Sequence, residues 1–94
     1  MVSLKWNPKA LNDLNSIFLF ISRDSPFYAK LMIRKIKDAT IKLKKFPYIG
    51  RKVPEIDLDY VRELIVQNYR IIYQIENGNI IILTILHSAR EFKL

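Results

Sequence analysis

Val2, Leu4 and Trp6 alternate with Ser3 and Lys5, and this period of two predicts a short strand with one buried face. The period changes at Asn7-Pro8, where Asn is a good helix N-cap and Pro suits the first helical position. Leu11, Leu14, Ile17, Phe18 and Ile21 then recur at helical spacing, which predicts an amphipathic helix over residues 8–22 with that stripe inward. Leu19 and Phe20 lie off the stripe and are expected in an exposed apolar patch. Ser25-Pro26 repeats the start signal, and Ala29, Met32, Ile33, Ile36, Ala39, Thr40 and Leu43 trace a second stripe that ends before Pro47.

The segment Phe46-Pro47-Tyr48-Ile49-Gly50 is punctuation, and residues 51–59, with Pro54 and three acids, read as a continuing loop. From Tyr60 on the pattern is that of strands. Residues 60–66, 69–75 and 80–87 are rich in β-branched and aromatic side chains, and Asn77-Gly78 between the last two suits the two positive φ angles of a type I′ hairpin turn. The expected fold is α+β: an N-terminal strand, a two-helix hairpin, then a three-stranded antiparallel meander packed on the helices, all in a single domain over residues 1–94.

A two-residue turn at Asn77-Gly78 sets Tyr73 opposite Ile82 and Arg70 opposite Ile85. Alternation then puts Arg70, Ile72, Gln74, Ile81, Leu83, Ile85 and His87 on one face, with Arg70 and His87 as diagonal neighbours. A tight turn at Gln67-Asn68 adds Glu63 to the Arg70 face and turns Arg62 away, and a slip of one residue exchanges the two. Both faces of this meander are apolar, and two helices with one short strand cover only one fully. A helix or strand from a partner chain is the simple physical cover for the rest.

Composition narrows the chemistry. A chain of 94 residues holds one core, and 50% hydrophobic residues with 2 Gly and 4 Pro exclude a disordered chain. The absence of cysteine removes disulfides and thiolate chemistry, and the single histidine leaves a metal site dependent on carboxylates, so neither metal nor other cofactor is expected. Sixteen Lys and Arg against nine Asp and Glu give a net charge of +7, which favours a polyanion or an acidic protein as partner. Arg23, Lys30, Arg34, Lys35, Lys37, Lys42, Lys44 and Lys45, against Asp24 and Asp38, supply +6 of that charge, either as a phosphate-binding face or as a solvated one. No apolar run reaches the ~18–20 residues of a membrane span and no secretion signal opens the chain, so the cytoplasm is the expected compartment.

The ordered set Ala10 to Leu14, Ile17 to Ser25, Ala29, Leu43, Pro47, Gly50-Arg51, Val61-Arg62-Glu63-Leu64, Tyr69-Arg70-Ile71-Ile72-Tyr73, Ile82-Leu83 and His87-x-x-Arg90 resembles the RelE/ParE family of type II toxins over nearly the whole chain. The resemblance implies a small growth-inhibiting toxin neutralised by a cognate antitoxin protein. The first reading is a RelE-like endoribonuclease that cuts mRNA on the ribosome, in the A site and without metal; the alternative is a ParE-like protein that poisons DNA gyrase without nuclease activity.

For the nuclease reading, metal-free cleavage needs the 2′-OH deprotonated, the phosphate charge stabilised and the leaving oxygen protonated. The resemblance assigns Arg70 and Arg90 to the phosphate and His87 to acid or base work, and Glu63, if it shares their face, is the candidate second proton carrier or the partner that orients His87. Arg51, Lys52, Arg62, Lys44 and Lys45 are the candidate nucleic-acid contacts. The plainer readings stay open: Arg70 with Glu63 as a cross-strand ion pair, and His87 as a structural histidine. Where a RelE ribonuclease carries two lysines two residues apart, this chain has Val61 and Glu63, and its Arg-Glu-Leu pattern and long first two helices look closer to ParE.

Overall fold

Both helices start where the X-Pro pairs stand. In the computed structural model, which describes residues 2–94, strand β1 (Leu4–Trp6) leads into helix α1 (Pro8–Ser22) and helix α2 (Pro26–Ile41), which tightens into a 3₁₀ turn over Lys42–Lys44. Ser25 caps α2 as expected, its hydroxyl accepting from the Tyr28 N–H at 3.2 Å. Asn7 does not cap with its side chain. Its backbone carbonyl accepts from the Leu11 N–H and its own N–H donates to the Ile82 carbonyl, which ties the helix start to the sheet.

The remaining strands are β2 (Arg51–Lys52), β3 (Val61–Val66), β4 (Tyr69–Glu76) and β5 (Asn79–His87). They form one five-stranded sheet in the order β1-β5-β4-β3-β2, with β1 parallel to β5 and all other pairs antiparallel. Two departures from the sequence pattern stand out. Arg51 and Lys52, expected in a loop, pair with Glu63 and Arg62 as a short edge strand. Leu11, expected inward, is exposed, because α1 turns Ala10, Leu14 and Ile17 to the core and leaves Leu11 on the shoulder between the helices.

The helices cover one face of the sheet, where Leu14, Ile17, Ile36 and Leu43 pack on Ile71, Tyr73, Ile80, Ile82 and Ile85. Tyr73 anchors the β2 end of this core: its hydroxyl donates to the Pro47 carbonyl at 2.7 Å and accepts from the Gly50 N–H at 3.0 Å. Burial pushes the Tyr73 phenol pKa up, against the Gly50 N–H and Arg62, which pull it down. A side chain at Gly50 would bring a Cβ to 2.5 Å from the Glu63 carbonyl, so only glycine allows this approach.

On the second face Val53, Val61 and Ile72 are fully or almost fully buried under Ile56, Leu58 and Phe92, beside Leu83 and Leu86. The cover expected from a partner chain comes from the chain itself, from the loop after β2 and from the residues after β5. The sequence pattern hides this because neither segment has a periodicity that marks it as apolar.

The turn at Asn77-Gly78 has the two positive φ angles of a type I′ hairpin (49° and 78°), and Tyr73 stands opposite Ile82. Between Ile72 and Tyr73 the β4–β5 register then slips: Ile72 faces Thr84, and Arg70 faces Leu86 instead of Ile85. The irregularity falls where β5 outruns β1, whose last partner is Ile82. Beyond that point Asp13 of α1 serves the open edge, accepting from the Thr84 hydroxyl and, at 3.1 Å, from the Ile85 N–H. Desolvation raises the Asp13 pKa, but the bonds from Lys9, Thr84 and Ile85 outweigh it and hold the group below its usual value. Every β5 residue past the bulge changes face relative to a regular ladder.

Candidate functional site

Arg70 leaves β4 toward the second face and is the most heavily bonded side chain on it. Its side chain is 7% exposed. Nε and Nη2 reach Glu63 Oε1 at 2.7 and 2.6 Å, Nη1 and Nη2 grip the Glu55 carboxylate at 2.7 and 2.8 Å, and Nη1 also donates to the Arg90 carbonyl at 2.7 Å. Four of these contacts are hydrogen bonds, one from Nε, two from Nη1 and one from Nη2, and the Nη2 contact with Glu63 is a charge contact beside them. Glu63 is wholly buried, and its second oxygen accepts from Nε of Arg51, whose side chain is largely exposed.

Glu55 completes the cluster. One of its oxygens accepts from the Phe92 N–H at 2.8 Å in addition to Arg70. The Arg70 hydrogen bonds first, and the Phe92 amide second, hold its carboxyl at about 2, far below the ordinary 4.5. The same bonds to Glu55, more than those to Glu63, raise the Arg70 guanidinium further above its already high value. An anion from solution would compete at Arg70 with Glu55, which is exposed, and with Glu63, which is buried and would be left a costly unpaired charge.

His87 does not join this cluster. The sequence pattern placed it diagonal to Arg70 on one face, but the β5 bulge sets it opposite Tyr69, whose ring it meets edge-on with centroids 6.0 Å apart. Its Nδ1 accepts from the Ala89 N–H at 3.2 Å, so the neutral ring carries its proton on Nε2. With Arg90, also exposed, it lines a groove of about 400 Å³ against α1, beside Lys9, Phe20 and Tyr69. Of the four residues assigned to catalysis, the structure joins Arg70 to Glu63 and to the backbone of Arg90, and leaves the side chains of His87 and Arg90 by that groove. Glu63 orients Arg70 and Arg51, whereas the His87 ring is oriented by the Ala89 amide.

The proposed nucleic-acid contacts divide in the same way. Arg62 is 16% exposed, donates to the Asp59 carboxylate and to the Gly50 carbonyl at 2.8 and 2.9 Å, and lies over the Tyr48 ring at 4.9 Å. It holds the loop before β2. Lys52, Lys44 and Lys45 are exposed, Lys45 with its ammonium 5.7 Å from the Phe46 ring centre. All eight basic residues between Ser22 and Lys45 are exposed, so this face of the helix hairpin is strongly cationic. Leu19, Phe20, Phe27 and Tyr28 are exposed on the same hairpin.

Glu55, Phe92 and Asp13 carry structural roles that the sequence pattern did not single out. A lone acid after Pro54 and a lone aromatic near the end of the chain are the only sequence signals for the first two, and neither names a partner. Among the described residues no three metal-type side chains stand together, and no helix is long and apolar enough to cross a membrane.

Comparison with known proteins gives consistent matches. The family described as ParE toxin of type II toxin-antitoxin system, parDE, matches residues 4–92. Toxin RelE2 of Caulobacter vibrioides is 34% identical over 91 residues, covering 96% of this chain and 99% of that protein. Among solved structures, the chromosomal ParDE system of P. aeruginosa superposes with a TM-score of 0.76 at 26% identity, covering 93% of this chain and 96% of that one. The RelBE2 toxin–antitoxin complex of Mycobacterium tuberculosis shares the fold at a TM-score of 0.64 and 17% identity, covering 92% and 96%.

Proposed function

The chain belongs to the ParE toxin family and is the toxin of a type II toxin–antitoxin module, and from that premise we propose that it stops growth by binding DNA gyrase, as the ParE branch does, without cutting RNA. The observation that carries this reading is the state of Arg70. Cleavage of RNA without metal needs a phosphate-stabilising cation and a proton carrier within hydrogen-bond reach of the same scissile group. Arg70 gives four hydrogen bonds to Glu55, Glu63 and the Arg90 carbonyl and makes a further charge contact with Glu63, and His87 stands on the other face of the sheet. Val61 and Glu63, an apolar residue and a buried carboxylate, occupy the positions where the resemblance to RelE would ask for lysines.

The partner that silences the toxin is, on this reading, a cognate antitoxin with an acidic, amphipathic binding segment. The helix hairpin offers what such a segment needs, an exposed row of lysines and arginines beside exposed Leu19, Phe20, Phe27 and Tyr28. Relatives of the same fold have been solved as toxin–antitoxin complexes.

Brief induction in cells, with growth recorded and mRNA 5′ ends mapped, tests the proposal. The expected result is growth arrest without new codon-positioned mRNA ends, and arrest of equal strength from His87→Ala. New ends that appear with the wild type and vanish with His87→Ala would overturn it in favour of the ribosome-dependent nuclease.

A further inference from the structure

The last residues of the chain are attached to the sheet by a few bonds of a kind that open separately from the core. After β5 ends, the Ser88 N–H donates to the Asn68 carbonyl at 2.7 Å and the Arg90 N–H closes a turn on His87. From there three contacts hold the chain: the Arg90 carbonyl on Arg70, the Phe92 N–H on Glu55, and the Phe92 ring against the cluster of Val53, Val61 and Ile72. Ala89, Arg90, Glu91, Lys93 and Leu94 are exposed. The strands beneath are held by a continuous ladder through β3, β4 and β5, so the two parts differ in how much must break before they open.

We propose that residues 88–94 are a strap clamped by Glu55 and Arg70, which opens and closes over the second face of the sheet while the fold stays intact. Glu55 and Arg70 read backbone alone, an N–H at one residue and a C=O two residues before it, and the pocket reads one aromatic side chain. With the strap closed, Arg70 gives four hydrogen bonds, one of them to the Arg90 carbonyl. With it open, the bond to the Arg90 carbonyl is released, and Ile72, Leu83 and Leu86 lose the cover of Phe92. The strap therefore gates access to the apolar floor beside Arg70, while the guanidinium stays bonded to Glu55 and Glu63. It also fixes the backbone of Arg90 at the sheet and so sets where that side chain stands next to His87. None of this depends on which macromolecule the toxin inhibits.

Hydrogen exchange on the whole protein, comparing wild type with Glu55→Gln, tests the strap. Gln keeps the shape and an acceptor but loses the charge that Arg70 grips. The amides of Arg90 and Phe92 are expected to exchange about tenfold faster in the variant, in line with the loss of charge-assisted bonds, while those of Ile71, Ile72 and Ile82 keep their wild-type rates. Unchanged tail amides, or tail and strand amides accelerated by the same factor, would overturn the proposal. Should Glu55→Gln fail to fold, Phe92→Ala leaves the ion pairs in place and is judged by the same two outcomes.

Discussion

Arg70, which the resemblance assigns to a phosphate, is held in the structure by two carboxylates and a backbone carbonyl. The alternation of β3 and β4 was enough to place Glu63 on its face, and the structure has them bonded. Glu55 was out of reach of that reasoning, because a loop residue has no register. Removing the guanidinium leaves the fully buried Glu63 with Arg51 alone and Glu55 with the Phe92 amide alone, so Arg70→Ala is expected to lower unfolding stability by roughly 3 kcal/mol in denaturant titration. Gly50→Ala, which forces a Cβ against the β3 backbone and the Tyr73 hydroxyl, is expected to cost about 1–3 kcal/mol in the same measurement.

The pH dependence follows from Glu55 at the same scale. Its folded carboxyl titrates at about 2 and its ordinary value is 4.5. Because the folded pKa is the lower one, its contribution is complete above about pH 4.5 and is lost as the pH falls toward 2. Stability measured between those limits is expected to decline less steeply in Glu55→Gln, which has no proton to take up there.

Among the elements, the helices were the most legible, since fifteen or sixteen residues repeat their period several times and two X-Pro starts mark their beginnings. Strand β2 was illegible because two residues carry no period; only its pairing with β3 makes it a strand. The bulge in β5 has the largest effect on the site and leaves no mark in the local pattern. One residue turned His87 away from Arg70, and its setting is the loss of the β1 neighbour and the arrival of Asp13, neither of which is local to β5. Asp13→Ala leaves the Ile85 N–H and the Thr84 hydroxyl without that acceptor. It is expected to destabilise the fold by about 1–3 kcal/mol and to raise exchange first at Ile85, seen by residue-resolved hydrogen exchange.

At the scale of the molecule, the sheet has two covered faces of different make. The helix face is a broad core built from repeated stripes, which is why the α+β class and the meander could be read from the pattern. The second face is closed by a loop and the C-terminal residues around an ion cluster, and its closure was invisible to periodicity. The net charge of +7 gathers mainly on the helix hairpin, away from that cluster, so the polyanion or acidic partner that composition suggested meets the helices before it meets Arg70. An antitoxin held by that charge is expected to bind less tightly as salt rises, in a titration of complex affinity between about 50 and 200 mM salt.

On the proposed function the toxin binds gyrase and leaves RNA uncut, with Arg70 and His87 on opposite faces of the sheet. Gyrase supercoiling of relaxed plasmid, titrated with the purified protein and with His87→Ala, tests it most directly. Inhibition by both proteins at matching concentrations is the expected result, and full supercoiling at every concentration of the wild type would rule out gyrase as the target.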